Sequence, residues 1–213
     1  MEQYLTEQEL RLVNPQIIQD MIQKEIPISV TVYHLTPEMK HYLQKIVATV
    51  LHQMKQDSII DYIAYCLSEL IDNSQRANAK RIYFHEQNLD IFNPQDYHNG
   101  METFKTDFIA NQNLYQSCQE ERGLSITMTL LVKDEFLYLE VANSTKLTVF
   151  EYKRIHDRIA RAQESQNPAQ IFSHINEQEG AGLGLISITL MLQKFGISED
   201  NIQIISQEDS TAI

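Results

Sequence analysis

The chain has 213 residues and a formal net charge of −12, because 29 aspartates and glutamates outnumber 17 lysines and arginines. So acidic a chain argues against general nucleic-acid binding, which depends on lysine and arginine meeting phosphates. No run of residues is long and apolar enough to span a membrane. The length suffices for one sizeable core, with or without an extension.

The cysteines and the N-terminus favour a cytoplasmic setting. Cys66 and Cys118 stand in unrelated contexts without the spacing of metal ligands, which is typical of a reducing compartment. Residues 1–5 contain no basic start followed by an apolar stretch, so we expect no signal peptide.

The N-terminal residues 1–26 are predicted to form a helical extension. Apolar residues recur there at helical spacing. Pro15 is expected to kink the helix or divide it in two, and Pro27 marks its end. Packing on the rest of the chain and a contact within a homodimer are both open roles for this extension.

The next part of the chain predicts a strand, two helices and a second strand. Residues 28–33 alternate and are β-branched, as in a strand. Thr36 followed by Pro37 is typical of an N-cap and the first position of a helix. A second helix is expected after it, and residues 81–86, with the apolar run 82–84, are predicted to form the second strand.

Three polar residues stand near the end of the second predicted helix. Glu69 and Asn73 are four residues apart and therefore share one helix face, and Arg76 lies close to that face. A carboxylate and an amide oxygen suit a hard ion such as Mg²⁺, which prefers oxygen ligands and usually keeps substrate phosphates in its shell. The competing interpretation is an ordinary solvated helix end.

The middle of the chain is predicted to be irregular and then to form a hairpin. Residues 87–123 are polar and carry turn signals, with at most a short helix at 101–109. Two apolar runs follow at residues 124–132 and 136–143, joined by a polar turn, as in a β-hairpin. A helix with several basic residues is then expected at 148–162. Those cations could face phosphates, although a solvated helix face is the more ordinary interpretation.

A glycine-rich stretch opens the last predicted helix. Three of the chain's six glycines, Gly180, Gly182 and Gly184, fall within five residues. Glycine lets backbone N–H groups approach a phosphate closely, and a helix N-terminus favours an anion. A flexible loop is the alternative interpretation. Strands are expected after this helix at residues 201–206 and 210–213.

The two motifs together resemble those of a known family. Glu69-Leu70 followed by Asn73 resembles the N box of the GHKL ATPases (gyrase, Hsp90, histidine kinases and MutL), and the run 180–185 resembles their second glycine box. The resemblance covers roughly residues 28–213. It implies the Bergerat fold, an α/β two-layer sandwich whose mixed, mostly antiparallel sheet carries helices on one face. The ATP-binding domain would then be residues 27–213, with a lid at about 144–179.

The resemblance also implies which residues contact Mg²⁺ and ATP. Asn73 would ligate Mg²⁺, Glu69 would act as base or orient the metal-bound water, and Arg76 and Lys80 would offset phosphate charge. The glycine box would present backbone N–H groups to the phosphates through five residues: Gly180, Gly182, Leu183, Gly184 and Leu185.

The adenine contacts implied by the family are altered in this chain. Where the family carries Asp-x-Gly-x-Gly, its first glycine box, this chain has Asn143-Ser144-Thr145. The amide oxygen of Asn143 can accept from the adenine amino group, but more weakly because it carries no charge. Thr211 matches a family threonine that contacts adenine through water. The alternative is that Asn143 simply ends a strand.

The function implied by the resemblance is histidine-kinase-like or anti-sigma-factor-type protein kinase activity. Such a domain transfers the γ-phosphate of Mg·ATP to a partner protein, a response regulator or an anti-sigma-type target in bacterial signalling. His34 falls between a predicted strand and a helix cap, unlike a phosphoacceptor histidine, so we expect the acceptor on the partner. The altered first glycine box leaves an alternative, a non-catalytic interaction module gated by nucleotide.

Overall fold

The computed structural model describes residues 14–164, 183–197, 201–207 and 209–213. The elements within these residues are, in chain order, α1 (Pro15–Gln23), β1 (Ile28–Val32), α2 (Pro37–Gln53), a 3₁₀ turn (Asp57–Ile59), α3 (Ile60–Glu86), α4 (Pro94–Ala110), α5 (Gln112–Glu121), β2 (Ile126–Lys133), β3 (Phe136–Asn143), α6 (Val149–Glu164), α7 (Leu183–Lys194), β4 (Ile205–Ser206) and β5 (Thr211–Ala212).

The strands form one open sheet in the order β1-β2-β3-β5-β4. Every neighbouring pair of the described strands is antiparallel, so the expectation of a mixed sheet is wrong for this part of the chain. The reason is that β2 with β3 and β4 with β5 are hairpin pairs, and β5 returns between β3 and β4. The register places Asn143 of β3 opposite Thr211 of β5.

One face of the sheet is buried and the other is exposed. Side chains of β1 alternate between buried and exposed, and on the exposed face the hydroxyls of Thr31 and Thr127 lie 2.9 Å apart. On the buried face, strand residues join residues of α1, α2, α3 and α7 in one hydrophobic core. This arrangement is an α/β fold compatible with a two-layer sandwich.

Helix α3 runs through the stretch predicted to be a strand. The prediction of a strand at 81–86 is wrong, because the helix continues to Glu86. Tyr83 and Phe84 have high strand propensity. Both are buried, however, and their rings pack against Phe104 and Tyr97 of α4 at centroid distances of 5.5 and 5.9 Å. Burial against a neighbouring helix overrides local propensity here.

The prediction that residues 87–123 are irregular is wrong, because the segment contains α4 and α5; the short helix expected at 101–109 is confirmed as part of the longer α4. Asn93-Pro94 is one of the turn signals of this segment in sequence, but in the structure these residues are the N-cap and first residue of α4. The Asn93 side chain accepts hydrogen bonds from the backbone N–H groups of Gln95 and Asp96 at 2.9 and 3.2 Å. The same pair of residues thus supports two interpretations, and only the contacts of the following helix decide between them.

Gly100 lets α4 approach α3 closely. A Cβ atom at this position would lie 2.5 Å from Cζ of Phe84. Asn99-Gly100, which predicts a turn in sequence, therefore lies inside a helix because the missing side chain makes room for an aromatic ring.

Helix α1 starts at Pro15, which agrees with the expectation that Pro15 divides the segment and not with a kink inside one helix. The Asn14 side chain accepts a hydrogen bond from the backbone N–H of Gln16 at 3.0 Å, with Pro15 at the first helical position. Ile18 is fully buried in the main core. Residues 1–13, the rest of the predicted extension, lie outside the described residues.

Other elements predicted from the sequence are present in the structure. Strand β1, the β2–β3 hairpin and helix α6 are confirmed, and Thr36 caps α2 by accepting from the Met39 N–H at 3.1 Å. The two C-terminal strands are found at shorter length, as β4 and β5. Among the described helices, none has both the length and the apolar character needed to cross a membrane.

Candidate functional site

A cavity of about 310 Å³ lies between α3, α4, α6, the start of α7 and the strands β3 and β5. Its volume is at the lower end of the range usual for small-molecule sites. Six residues that the motifs single out line it: Asn73, Arg76, Lys80, Asn143, Leu185 and Thr211. These residues come from four separate stretches of sequence, so their convergence is a property of the tertiary fold.

Of the other predicted site residues, Glu69 does not line this cavity. Glu69 is half-buried on α3, one turn before Asn73. Leu183 and Gly184 form the first two residues of α7. Gly180 and Gly182, together with lid residues 165–179, lie outside the described residues.

Asn73 is held by its neighbour Arg76. The Arg76 guanidinium donates from Nη2 to Asn73 Oδ1 at 2.7 Å. Asn73 Nδ2 and Arg76 Nε are buried, and neither has a hydrogen-bond partner among the described residues. Burial lowers the pKa of Arg76, and the carboxylates of Asp72 and Glu69 counter part of that effect. Two buried donors at a cavity wall suit a ligand that supplies acceptors.

This arrangement does not fit a magnesium ion at Asn73. The amide oxygen, which the resemblance assigns to Mg²⁺, already accepts from a cation, and Glu69 does not line the cavity. Within the described residues there is no group of three or more His, Cys, Asp and Glu side chains that could hold a metal. We therefore derive no chemical step through a metal.

Lys80 forms a buried ion pair with Glu151, so its charge is already balanced within the protein. Its Nζ donates to Glu151 Oε1 at 2.6 Å, and Arg81 donates to both oxygens of the same carboxylate, at 3.0 and 2.7 Å. Burial alone would raise the pKa of Glu151. The charges of Lys80 and Arg81 and the hydrogen bonds they donate outweigh burial and hold that pKa well below its usual range.

Glu151 also starts helix α6. Its Oε2 accepts from the Thr148 N–H at 3.0 Å, while the Thr148 hydroxyl accepts from the Glu151 N–H at 3.1 Å. This is a reciprocal capping box. One carboxylate therefore joins the beginning of α6 to two cations of α3. The spacing of Thr148 and Glu151 is the one signal of this capping box that is visible in the sequence.

The cavity is locally positive in an acidic chain. Among the described residues, four cations and one carboxylate line it: Arg76, Lys80, Lys105, Arg154 and Glu151. Because cations outnumber carboxylates in this concave surface, its field favours an anionic ligand. Lys105 and Arg154 are additions to the predicted site. Arg154 lies in the helix whose basic residues were expected to face either phosphates or solvent, and it faces the cavity with its guanidinium 5.7 Å from the Tyr97 ring centroid.

Helix α4 supplies an apolar wall that the sequence analysis missed. Four of its residues line the cavity: Met101, Phe104, Phe108 and Ile109. Their spacing matches one helix face, but the polar segment around them obscured the pattern. An apolar wall opposite a polar, positively charged wall suits a ligand with a flat or apolar part and an anionic part.

The opposite end of the cavity is formed by β3 and β5. Asn143 Nδ2 donates to Asn78 Oδ1 at 3.3 Å and to the Thr145 hydroxyl. The Thr211 hydroxyl donates to the Thr145 carbonyl at 2.8 Å. Asn143 and Thr211 are both buried, so these hydrogen bonds fix their orientation at the cavity.

Comparison with known proteins identifies no family. No family model matches the chain, and no solved structure matches it. An uncharacterized protein of Treponema pallidum (strain Nichols) is 40% identical over 201 residues, which are 94% of this chain and 39% of that protein. The chain thus spans about two fifths of the length of the curated relative it matches.

Proposed function

We propose that the chain binds ATP in this cavity and acts as a GHKL-type protein kinase that transfers the γ-phosphate to a partner protein. The observation that carries the proposal is the convergence of Asn73, Asn143 and Thr211 on one cavity. These residues belong to separate sequence motifs, and nothing in their spacing along the chain requires them to meet.

The charge and shape of the cavity support an anionic nucleotide. Its cations would face the phosphates, and the apolar residues of α4 would pack against the rest of the nucleotide. Mg²⁺ enters this proposal only as an ion carried by the phosphates, because Asn73 Oδ1 is engaged by Arg76. The partner would be a response regulator or an anti-sigma-type target, as the resemblance implies.

A second function, a nucleotide-gated interaction module without turnover, is favoured by one observation. Glu69, which the resemblance makes the base, does not line the cavity. In such a module the nucleotide would shift the population of two conformations of a protein surface.

Titration calorimetry of the purified chain with ATP, in the presence and absence of Mg²⁺, tests nucleotide binding. We expect binding by the wild type that is lost in Asn73→Ala. The matched control is Asn113→Ala, which removes an exposed asparagine of α5 and should bind as the wild type does. Absence of heat at millimolar ATP in the wild type would reject both functions.

A second experiment separates the two functions: the chain is incubated with ATP that is labelled on its γ-phosphate, together with candidate response regulators. Label on a regulator supports the kinase. Binding of ATP without label on any regulator, and without release of phosphate, supports the gated module.

A further inference from the structure

We propose that Glu151 fills an anion site of the free chain from within, and that an anionic ligand of the cavity displaces this carboxylate and thereby releases the start of α6. This inference rests on the proposed nucleotide function for the class of ligand and adds a regulation of the same site. It is carried by the contacts that the carboxylate makes with Lys80, Arg81 and the backbone of Thr148.

The donors around Glu151 are of the kind that bind a phosphate group. Its Oε1 accepts from Lys80, and its Oε2 accepts from Arg81 and from the backbone N–H of Thr148. Arg81 also donates to Oε1. Two cations and a backbone N–H at the start of a helix are typical partners of phosphate oxygens. In the free chain a carboxylate of the protein itself occupies these donors.

This anion site opens onto the cavity. Lys80 and Glu151 both line it, and among the described lining residues Glu151 carries the single carboxylate. An anion that enters the cavity is therefore attracted by the cations there and repelled by Glu151. Arg81 does not line the cavity. Its guanidinium also donates to the backbone carbonyl of Lys146, so it keeps a partner when Glu151 leaves.

Exchange of one anion for another avoids the cost of breaking a buried ion pair. The side chains of Lys80 and Glu151 are 11% and 8% exposed, so loss of Glu151 with nothing in its place leaves the lysine charge buried and unpaired. An anion bound at Lys80 keeps that charge paired, while the displaced carboxylate regains water. Glu151 and the ligand thus compete for the same cation, and Glu151 leaves only when a ligand replaces it.

Displacement of Glu151 changes the first turn of α6. The carboxylate accepts from the Thr148 N–H at 3.0 Å, which is one half of the capping box of this helix. Thr148 does not line the cavity, so the ligand does not replace this acceptor, and the N–H must turn to water. Phe150 packs against the Tyr97 ring at a centroid distance of 4.8 Å, which holds the rest of the turn in place. The Thr148 N–H is therefore the reporter of displacement.

Titration calorimetry with inorganic triphosphate at constant ionic strength tests the competition without a nucleotide. We expect Glu151→Gln to bind triphosphate roughly 10-fold more tightly than the wild type, because the variant has no negative charge to displace. The matched control is Glu86→Gln, which removes the same charge from an exposed ion pair outside the cavity and should bind as the wild type does. Equal affinities of the wild type and Glu151→Gln overturn the inference.

Hydrogen exchange of the wild type, followed by nuclear magnetic resonance, shows the displacement without relying on the folding of a variant. The Thr148 N–H should exchange faster when the chain is saturated with triphosphate. The Met39 N–H, which donates to the Thr36 hydroxyl at the start of α2, is the control and should keep its rate. Unchanged exchange at Thr148 with triphosphate bound overturns the inference, and so does the absence of triphosphate binding by the wild type at millimolar concentration.

The outcomes separate this inference from the proposed function. ATP that binds equally to the wild type and Glu151→Gln, with the Thr148 exchange rate unchanged, overturns the inference and leaves nucleotide binding intact. Triphosphate that binds and speeds exchange at Thr148 as expected, while ATP does not bind, supports displacement of Glu151 by an anion and rejects the proposed function.

Discussion

At the scale of single residues, Glu151 determines how the cations of α3 are arranged. Its side chain is 8% exposed and is paired with Lys80 and Arg81, whose side chains are 11% and 15% exposed. Removing one member of an ion pair buried to this degree strongly lowers the free energy of unfolding, because the remaining charges lose their partner without regaining water. Lys80, which the family resemblance assigns to phosphate, is therefore also part of the structural framework.

We predict that Glu151→Gln destabilises the chain by about 3 kcal/mol, because Lys80 and Arg81 are left buried without a counter-charge. Urea unfolding at neutral pH measures the change. Glu86→Gln is the matched control, since it removes a carboxylate from an ion pair with Arg122 that is 36–44% exposed. This control should change the stability by less than about 1 kcal/mol. Similar losses in the two variants would contradict a special role for Glu151.

The same pair predicts a pH dependence with a definite sign. The pKa of Glu151 is held well below its usual range in the folded chain. Its ionised form therefore contributes stability above the ordinary glutamate pKa of about 4.3, and the contribution is lost as the pH falls below that value. The difference in unfolding free energy between the wild type and Glu151→Gln should shrink as urea unfolding is repeated from pH 6 down to about pH 3. A difference that grows in acid would mean that the pKa of Glu151 is raised.

At the scale of elements, the packing of α4 on α3 shapes the cavity. The helices are held together by tilted ring contacts, Tyr83 with Phe104 and Phe84 with Tyr97, and the Tyr83 hydroxyl lies 2.7 Å from that of Thr103. Because α4 carries the apolar wall of the cavity, its distance from α3 sets the width available to a ligand. At Gly100 the two helices are in close contact, because a Cβ atom added there would meet the Phe84 ring.

We predict that Gly100→Ala destabilises the chain by about 1–3 kcal/mol. A glycine-to-alanine change inside a helix normally stabilises by about 1 kcal/mol, but here the new Cβ would lie 2.5 Å from the Phe84 ring, and the overlap outweighs that gain. Thr106→Ala, at an exposed position of the same helix, is the control and should leave stability unchanged or slightly raised. Thermal unfolding of the two variants beside the wild type measures both effects; a more stable Gly100→Ala would show that the helices are not in close contact.

At the scale of the whole molecule, the described part of the N-terminal segment belongs to the core. Helix α1 packs on α2 and β2, and Ile18 is fully buried among core residues of both layers. The sequence predicts an extension that either packs on the rest of the chain or forms a contact within a homodimer. Its observed contacts are those of packing on the rest of the chain.

We predict that Ile18→Ala destabilises the entire chain by about 2–5 kcal/mol, the range for large-to-small changes in a core. Ile26→Ala, whose side chain is 45% exposed, is the control and should cost less than about 0.5 kcal/mol. Unfolding should be followed by both circular dichroism and the fluorescence of tyrosines outside α1. Loss of helix signal alone, with the tyrosine transition unmoved, would mean that α1 unfolds independently of the rest.

The sequence by itself determined the elements whose pattern is local. Alternation predicted β1 and the β2–β3 hairpin, the Thr36-Pro37 pair predicted the start of α2, and helical spacing predicted a shared face for Asn73 and Arg76. Periodicity and caps depend on residues within a few positions of each other, so they can be recognised without knowing the path of the chain.

Only the tertiary structure decided the rest. The end of α3, the identity of α4 and α5 as helices, and the antiparallel order of the strands depend on which elements pack together. The partner of Lys80 is 71 residues away in sequence, and the amide orientation of Asn143 depends on Asn78, 65 residues before it. Burial and hydrogen-bond polarity are set by such long-range neighbours, and these neighbours exist only once the chain has folded.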